Sequence, residues 1–193
     1  FEDVKRSVLP QGHLTKDKAE GVVRALAEHG FGKITFAGGE PTLCPWLHDL
    51  VAIAKSAGMV TMVVTNGSRL NEPMLNEYRP VLDWVVLSID SIIPETNLNG
   101  GRFHNRRMLP ESTHYRNLIA LIHKMGFKFK INTVVHRYNM EETMSEFIES
   151  ANPLRWKIFK VLSIKNQNDE NYANYEISDE EFSQYLKRNT TRL

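Results

Sequence analysis

The chain has 193 residues, with 24 Lys and Arg against 23 Asp and Glu, 41% hydrophobic residues and one cysteine. That length can bury one substantial core, and a net charge of +1 excludes a global field that gathers on nucleic acid or anionic lipid, so any anion site must be local. Cys44 alone excludes an internal disulfide and cannot by itself hold zinc or an iron–sulfur cluster; with no apolar run long enough to span a membrane and no secretory signal at the start, a cytoplasmic protein is expected.

Thr15 is placed to cap a helix whose Ala19, Val22, Val23 and Leu26 share one face, with Gly30 as its stop. KITFA (33–37) reads as the first strand, being brief, β-branched and bounded by glycine. Trp46, Leu47, Leu50, Val51 and Ala54 repeat helical spacing up to Gly58, and MVTMVVT (59–65) is the second strand. A weaker helix at about 71–79 precedes the strand WVVLSID (84–90), and 91–112 reads as a loop around NGGRFHNRRMLPES. A helix over 113–126, the strand FKFKINTVV (127–135), a helix over 140–150 and the strand WKIFKVLSI (156–164) follow. After the polar loop at 166–176, Ser178 and Glu181 form an S-x-x-E capping box opening a helix with Phe182, Tyr185 and Leu186 inward.

Strand and helix alternate about five times, which argues for an α/β fold with parallel pairing and right-handed crossovers. Periodicity does not separate an open doubly wound sheet from a closed or half-closed barrel. A single domain over 1–193 is expected, and a chain that opens at Phe1 without an initiator Met is read as a fragment of something longer.

Side chains alternate along a strand. Lys33, Thr35 and Ala37 therefore oppose Ile34 and Phe36, while Lys128, Lys130, Asn132 and Val134 oppose Phe127, Phe129, Ile131 and Thr133. Arg155, Lys157, Phe159 and Val161 oppose Trp156, Ile158, Lys160 and Leu162, and Val86, Ser88 and Asp90 oppose Val85, Leu87 and Ile89. One set packs under helices; the other gathers Lys33, Lys130, Asn132, Arg155, Lys157 and Ser88. Enclosed cations need a counter-charge, and a ligand with several phosphates would supply it. Lysines at strand starts are often simply solvated, and Lys128 and Lys160 are read so.

Ala37-Gly38-Gly39-Glu40-Pro41 follows the first strand, at the carboxyl end where α/β folds bind ligands. Two glycines let backbone approach a ligand closely, and Glu40 can accept from an ammonium group. The next strands end in Thr65-Asn66-Gly67 and Ser88-Ile89-Asp90-Ser91, a polar rim. The histidines show no metal-ligand spacing, the tryptophans 46, 84 and 156 fit core or helix-packing positions, and Arg102, Arg106 and Arg107 are a weak nucleic-acid signal.

GGEP, TNG and SxDS turns in this order resemble the radical S-adenosylmethionine enzymes, whose fold is a partial (βα)6 barrel. KITFAGGEP, VVTNGSRL, LSIDSIIPETN followed by GGR, FKINTVVHRYNMEE and NPLRWKIFKVLSI together resemble viperin-like enzymes, in order from about residue 8 to 188. The resemblance implies a [4Fe–4S] cluster, an external electron donor and reductive cleavage of S-adenosylmethionine. The radical so formed takes the 4′ hydrogen of CTP or another nucleoside triphosphate, and loss of water leaves the 3′-deoxy-3′,4′-didehydro analogue, an antiviral chain terminator. It implies that Gly38, Gly39 and Glu40 hold the cofactor's amino group and that Ser88 and Arg102 hold its carboxylate, with Asn66 on the same rim. Lys33, Lys130, Asn132, Arg155 and Lys157 match the family's nucleotide-binding positions. No general acid or base is named.

The family's CxxxCxxC is missing, so no metal ligand is assigned, and this chain is expected to be inactive without those cysteines. The resemblance places that loop before Phe1 and a closing extension after Leu193. Thr35 and Ala37 stand where animal viperins carry Asn and Ser, which leaves base preference open. Neither a membrane anchor nor a nucleic-acid partner is supported. Two other readings are a cluster-less nucleotide-binding or partner-binding module, and a radical enzyme of another subgroup acting on a peptide or tRNA.

Overall fold

The computed structural model describes residues 14–104, 107–108, 112–164 and 171–190. Its strands are β1 (Lys33–Phe36), β2 (Val60–Thr65), β3 (Trp84–Ser88), β4 (Phe103–His104), β5 (Arg107–Met108), β6 (Lys128–Val135) and β7 (Arg155–Lys160). Its helices are α1 (Lys16–Glu28), α2 (Leu47–Ser56), α3 (Glu72–Tyr78), α4 (Pro94–Asn99), α5 (Ser112–Lys124), α6 (Ser145–Ala151) and α7 (Asp179–Thr190). Short 3-10 turns cover Pro41–Leu43 and Tyr172–Asn174. The main sheet is five-stranded and parallel, in the order β1-β2-β3-β6-β7, while β4 and β5 form a separate antiparallel pair. The described residues fall into two compact units, one drawn from Gln11–Leu87 and Leu118–Lys130, the other from Ser88–Asn117 and Ile131–Leu193.

In the first unit, alternation works as expected. Ile34 and Phe36 pack against Ala19, Val23, Leu50, Ala54 and Met59 from α1, α2 and the start of the second strand's approach, whereas Lys33, Thr35 and Ala37 are exposed. Val51 and Ala54 are wholly buried, and each large apolar side chain so removed from water contributes about 1.5–3 kcal/mol. Along α1 the buried stripe is Ala19 and Val23 with Ala27 beside it, an i, i+4, i+8 line; Val22, expected inward, is 51% exposed. Thr15 occupies the cap position, but its side chain makes no capping bond there. Gly30 and Gly58 close α1 and α2 in the left-handed conformation, at φ of 80° and 82°.

In the second unit, Val135, Ile177 and Tyr185 form a core joined by Trp156, Ile158, Val161 and Phe182. The expected capping box is present: Ser178 N donates to Glu181 Oε2 at 2.7 Å and Glu181 N donates to Ser178 Oγ at 3.1 Å. The expected loop over 91–112 instead contains α4, opened by Pro94 in its first turn and held by Asn97 Nδ2 donating to Ser91 O at 2.9 Å. Six residues carry too little apolar periodicity for a sequence to announce such a helix. The helix expected over 140–150 begins only at Ser145, because His136 to Glu142 are occupied by successive turns, among them Glu142 N to Asn139 O at 3.0 Å. The last strand stops at Lys160, four residues before its expected end, so Val161 leaves the alternation and packs in the core.

Candidate functional site

The first unit presents the glycine turn that follows β1. Gly38 and Gly39 have φ of 102° and 52°, and a Cβ built on either meets nothing within 4 Å. Their backbone therefore faces open space in conformations that side-chain-bearing residues adopt only under strain. Glu40 is far more engaged than a free acceptor. Its Oε1 accepts from Thr42 N at 3.1 Å, Thr42 Oγ1 at 2.6 Å and Thr65 Oγ1 at 2.7 Å, and its Oε2 accepts from Asn66 N at 2.8 Å. The carboxylate thus ties the turn after β1 to the turn after β2, and Oε2 retains capacity for one more donor. Asn66 Oδ1 caps Ser68 N at 2.8 Å, and Thr65 Oγ1 accepts from Gly67 N at 3.0 Å, which stiffens the second turn.

At the other end of the same strands stands Trp84. Lys33 Nζ lies 6.0 Å and Lys128 Nζ 5.7 Å from its ring centroid. Trp84 is half-buried, on the sheet face opposite Ile34 and Phe36, in register with the buried Met62 and so with Thr35. Lys130, two residues beyond Lys128, is buried at 9% exposure.

The second unit holds the turn after β3. Asp90, 5% exposed, accepts from Arg102 Nε through Oδ2 and from Val134 N at 2.8 Å through Oδ1. Burial alone would lower the Arg102 pKa, and the Asp90 carboxylate beside it more than reverses this, so the guanidinium stays charged. Asn139, wholly buried, donates through Nδ2 to Asp90 O at 2.8 Å and Val134 O at 2.9 Å and accepts through Oδ1 from His136 N at 2.8 Å. Burial lowers the pKa of His136, whose Nδ1 accepts from Tyr138 N at 3.2 Å; its Nε2 side lies against Gly100, where a Cβ would come within 2.8 Å. Nearby, burial raises the pKa of Glu142, which accepts from Ser91 Oγ at 2.6 Å.

Ser88 is half-buried at the end of β3. Asn132 is half-buried too, and its Oδ1 is enclosed without a hydrogen-bond partner among the described residues. Arg155 is exposed, and Lys157 Nζ lies 5.6 Å from the Phe159 ring. Lys160, on the opposite alternation, pairs with Asp179 at 2.5 Å. The sequence-selected residues are therefore shared between the units: Lys33, Gly38, Gly39, Glu40, Asn66 and Lys130 in the first, Ser88, Arg102, Asn132, Arg155 and Lys157 in the second. Sequence reasoning did not anticipate the roles of Thr42, Thr65, Asp90 and Asn139. Asp90 and Asn139 lay inside singled-out words, SIDS and HRYN, but nothing local reveals that one neutralises an arginine and the other ties two carbonyls.

Parallel strands with helices on one face and a glycine turn at the end of the first define an α/β protein of the partial (βα)6 type. Residues 3–151 match the family model described as the radical SAM superfamily, so the chain belongs to that superfamily. It is similar to the S-adenosylmethionine-dependent nucleotide dehydratase of Flammeovirga pacifica, 46% identical over 190 residues, covering 98% of this chain and 65% of that protein. The enzyme of the same description from Lacinutrix mariniflava is 47% identical over 186 residues, covering 96% and 39%, and the Danio rerio nucleotide dehydratase RSAD2, a viperin, is 36% identical over 182 residues, covering 89% and 50%. The chain thus spans from about two fifths to just under two thirds of these relatives. Among solved structures it resembles anSMEcpe with bound AdoMet and a Cp18Cys peptide (TM-score 0.69, 19% identity, 91% of this chain and 51% of that one). It also resembles Streptococcus suis SuiB (TM-score 0.65, 16% identity, 81% and 36%); both likenesses concern fold alone.

The residues present do not fit a [4Fe–4S] cluster: the chain has one cysteine, and no group of three or more His, Cys, Asp or Glu among the described residues could hold a metal. They do fit the donors and acceptors of S-adenosylmethionine, since an open glycine backbone and a spare carboxylate lone pair suit an ammonium group, and a charged guanidinium suits a carboxylate. No described helix is long and apolar enough to cross a membrane.

Proposed function

We propose that this chain is the cofactor- and nucleotide-binding body of a viperin-like nucleotide dehydratase that converts CTP, or another nucleoside triphosphate, to its 3′-deoxy-3′,4′-didehydro analogue. S-adenosylmethionine, when bound, supplies the hydrogen-abstracting chemistry; the chain's own residues bind, orient and exclude water. Gly38 and Gly39 offer backbone to the cofactor's ammonium group, with the remaining lone pair of Glu40 Oε2 beside them. Asn66 follows on the same rim, and Ser88 and Arg102 take the carboxylate. Lys33, Lys130, Asn132, Arg155 and Lys157 hold the nucleotide, chiefly its phosphates. An external electron donor completes the reaction, and this chain with its single cysteine is expected to bind nucleotide without turning it over.

One observation carries the reading. In a chain 46% identical to a nucleotide dehydratase, Lys33 and Lys157 sit on strand faces opposite Ile34, Phe36, Trp156 and Ile158, which pack into the cores. Binding energy spent on phosphates far from the reacting carbon positions that carbon without itself entering the chemistry. Calorimetric titration with CTP tests it: Lys157→Ala is expected to weaken binding by about 1–3 kcal/mol, and unchanged affinity removes Lys157 from the site.

A further inference from the structure

Lys33 and Lys128 bracket a single indole. Their ammonium groups, 6.0 and 5.7 Å from the Trp84 centroid, lie within about 12 Å of one another, and neither has a carboxylate partner among the described residues. The acid next in sequence, Asp83, is already spent: its Oδ1 takes Lys55 at 2.6 Å and its Oδ2 takes Thr61 N at 2.9 Å. The arrangement is built by the sheet and not by chance proximity. Lys128 N donates to Asp83 O at 3.1 Å, aligning the start of β6 with the start of β3, while Met62 aligns Trp84 with Thr35, two residues from Lys33. Lys33, Trp84 and Lys128 are the first residues of three strands.

Both lysines are exposed, so their mutual repulsion is small, and the row they make with the ring stays open to a ligand from solvent. An anion with several charged oxygens completes the set. Lysine is a point-charge phosphate ligand, and two of them, without an arginine fork, suit a chain of phosphates better than a planar carboxylate. The strands separate this row from the glycine turn at their other end by about 15 Å, so it suits the end of a ligand remote from the reacting group.

We propose that Lys33, Trp84 and Lys128 form a phosphate subsite, in which Lys128 binds the terminal phosphates of the substrate with Lys33 and Trp84 positions both ammonium groups. The proposal extends the nucleotide reading above and adds two residues to it. Calorimetric titration of the chain with inorganic tripolyphosphate, CTP and cytidine tests it. Lys128→Ala is expected to weaken tripolyphosphate and CTP about tenfold and to leave cytidine unchanged, with Lys128→Arg restoring most of the affinity. Trp84→Leu is expected to weaken the same two ligands less, and Trp84→Phe, which keeps a ring, less again. Wild-type affinity for tripolyphosphate in Lys128→Ala, no tripolyphosphate binding by the wild type, or selective loss of cytidine binding in Trp84→Leu overturns the subsite. Loss of CTP binding in Lys157→Ala but not in Lys128→Ala sinks this subsite and leaves the nucleotide reading standing. Lys128-dependent binding of tripolyphosphate with CTP bound no tighter than tripolyphosphate does the reverse.

Discussion

The turn after β1 and the turn after β3 solve the same problem differently. Both must hold polar groups at a strand's carboxyl end, but the first is open and the second enclosed. At the open turn, Gly38 and Gly39 supply exposed backbone, and order comes from one carboxylate, Glu40, accepting four hydrogen bonds from Thr42, Thr65 and Asn66. At the enclosed turn, order comes from a charged pair, Asp90 with Arg102, and from the wholly buried amide of Asn139 spanning two carbonyls. A neutral donor set suffices where water can assist; a half-buried guanidinium beside the buried Asp90 carboxylate pairs with it, because either charge left alone there is costly. Exposed backbone is thus greater at the glycine turn, and structural commitment is greater at Asp90.

The contrast can be broken most severely at Asp90. Asp90→Ala strands a half-buried guanidinium and the Val134 N–H, and a loss of about 3–5 kcal/mol is expected in urea unfolding; a loss below 1 kcal/mol would mean that the pair contributes little. Glu40→Ala should cost less, about 2–3 kcal/mol, because the freed Thr42, Thr65 and Asn66 donors lie near the exposed turn and recover some hydration. Gly38→Ala is expected to cost about 1–2 kcal/mol through backbone strain alone, since the added methyl has open space; an unchanged midpoint would show that the turn is not held at its φ of 102°.

The smallest effect concerns pH. His136 is buried neutral, with a folded pKa below its ordinary value of 6.5, so the unfolded chain binds the extra proton first as pH falls. Stability contributed by this group is therefore present above 6.5 and lost as pH drops toward the folded pKa. His136→Gln should flatten that part of the pH–stability profile, and identical slopes for the two proteins between pH 7 and 5.5 would remove His136 as the cause.

Much of this was legible in the residues. Period-two alternation placed Lys33, Lys130 and Asn132 opposite Ile34, Phe36, Phe129 and Ile131, and the S-x-x-E word gave the cap of α7. The helix over 94–99 is too short for periodicity to announce, and adjacent valines at 22 and 23 leave the inward one undecided until α2 packs. Trp84 is half-buried beside the buried Met62, and that its ring also meets two lysines depends on strand register.

The sequence by itself determined the order of strands and helices, the face on which each strand carries charge, and the glycine turn with its superfamily. These depend on residues close together in the chain, where periodicity and local chemistry suffice. Only the tertiary structure decided that Glu40 ties its own turn to the next strand's turn, that Asp90 neutralises Arg102, and that Lys33 and Lys128 share one indole. Those partners lie 12 to 95 positions apart in the chain, and which donor meets which acceptor at such separations is set by sheet register and packing, which no local pattern encodes.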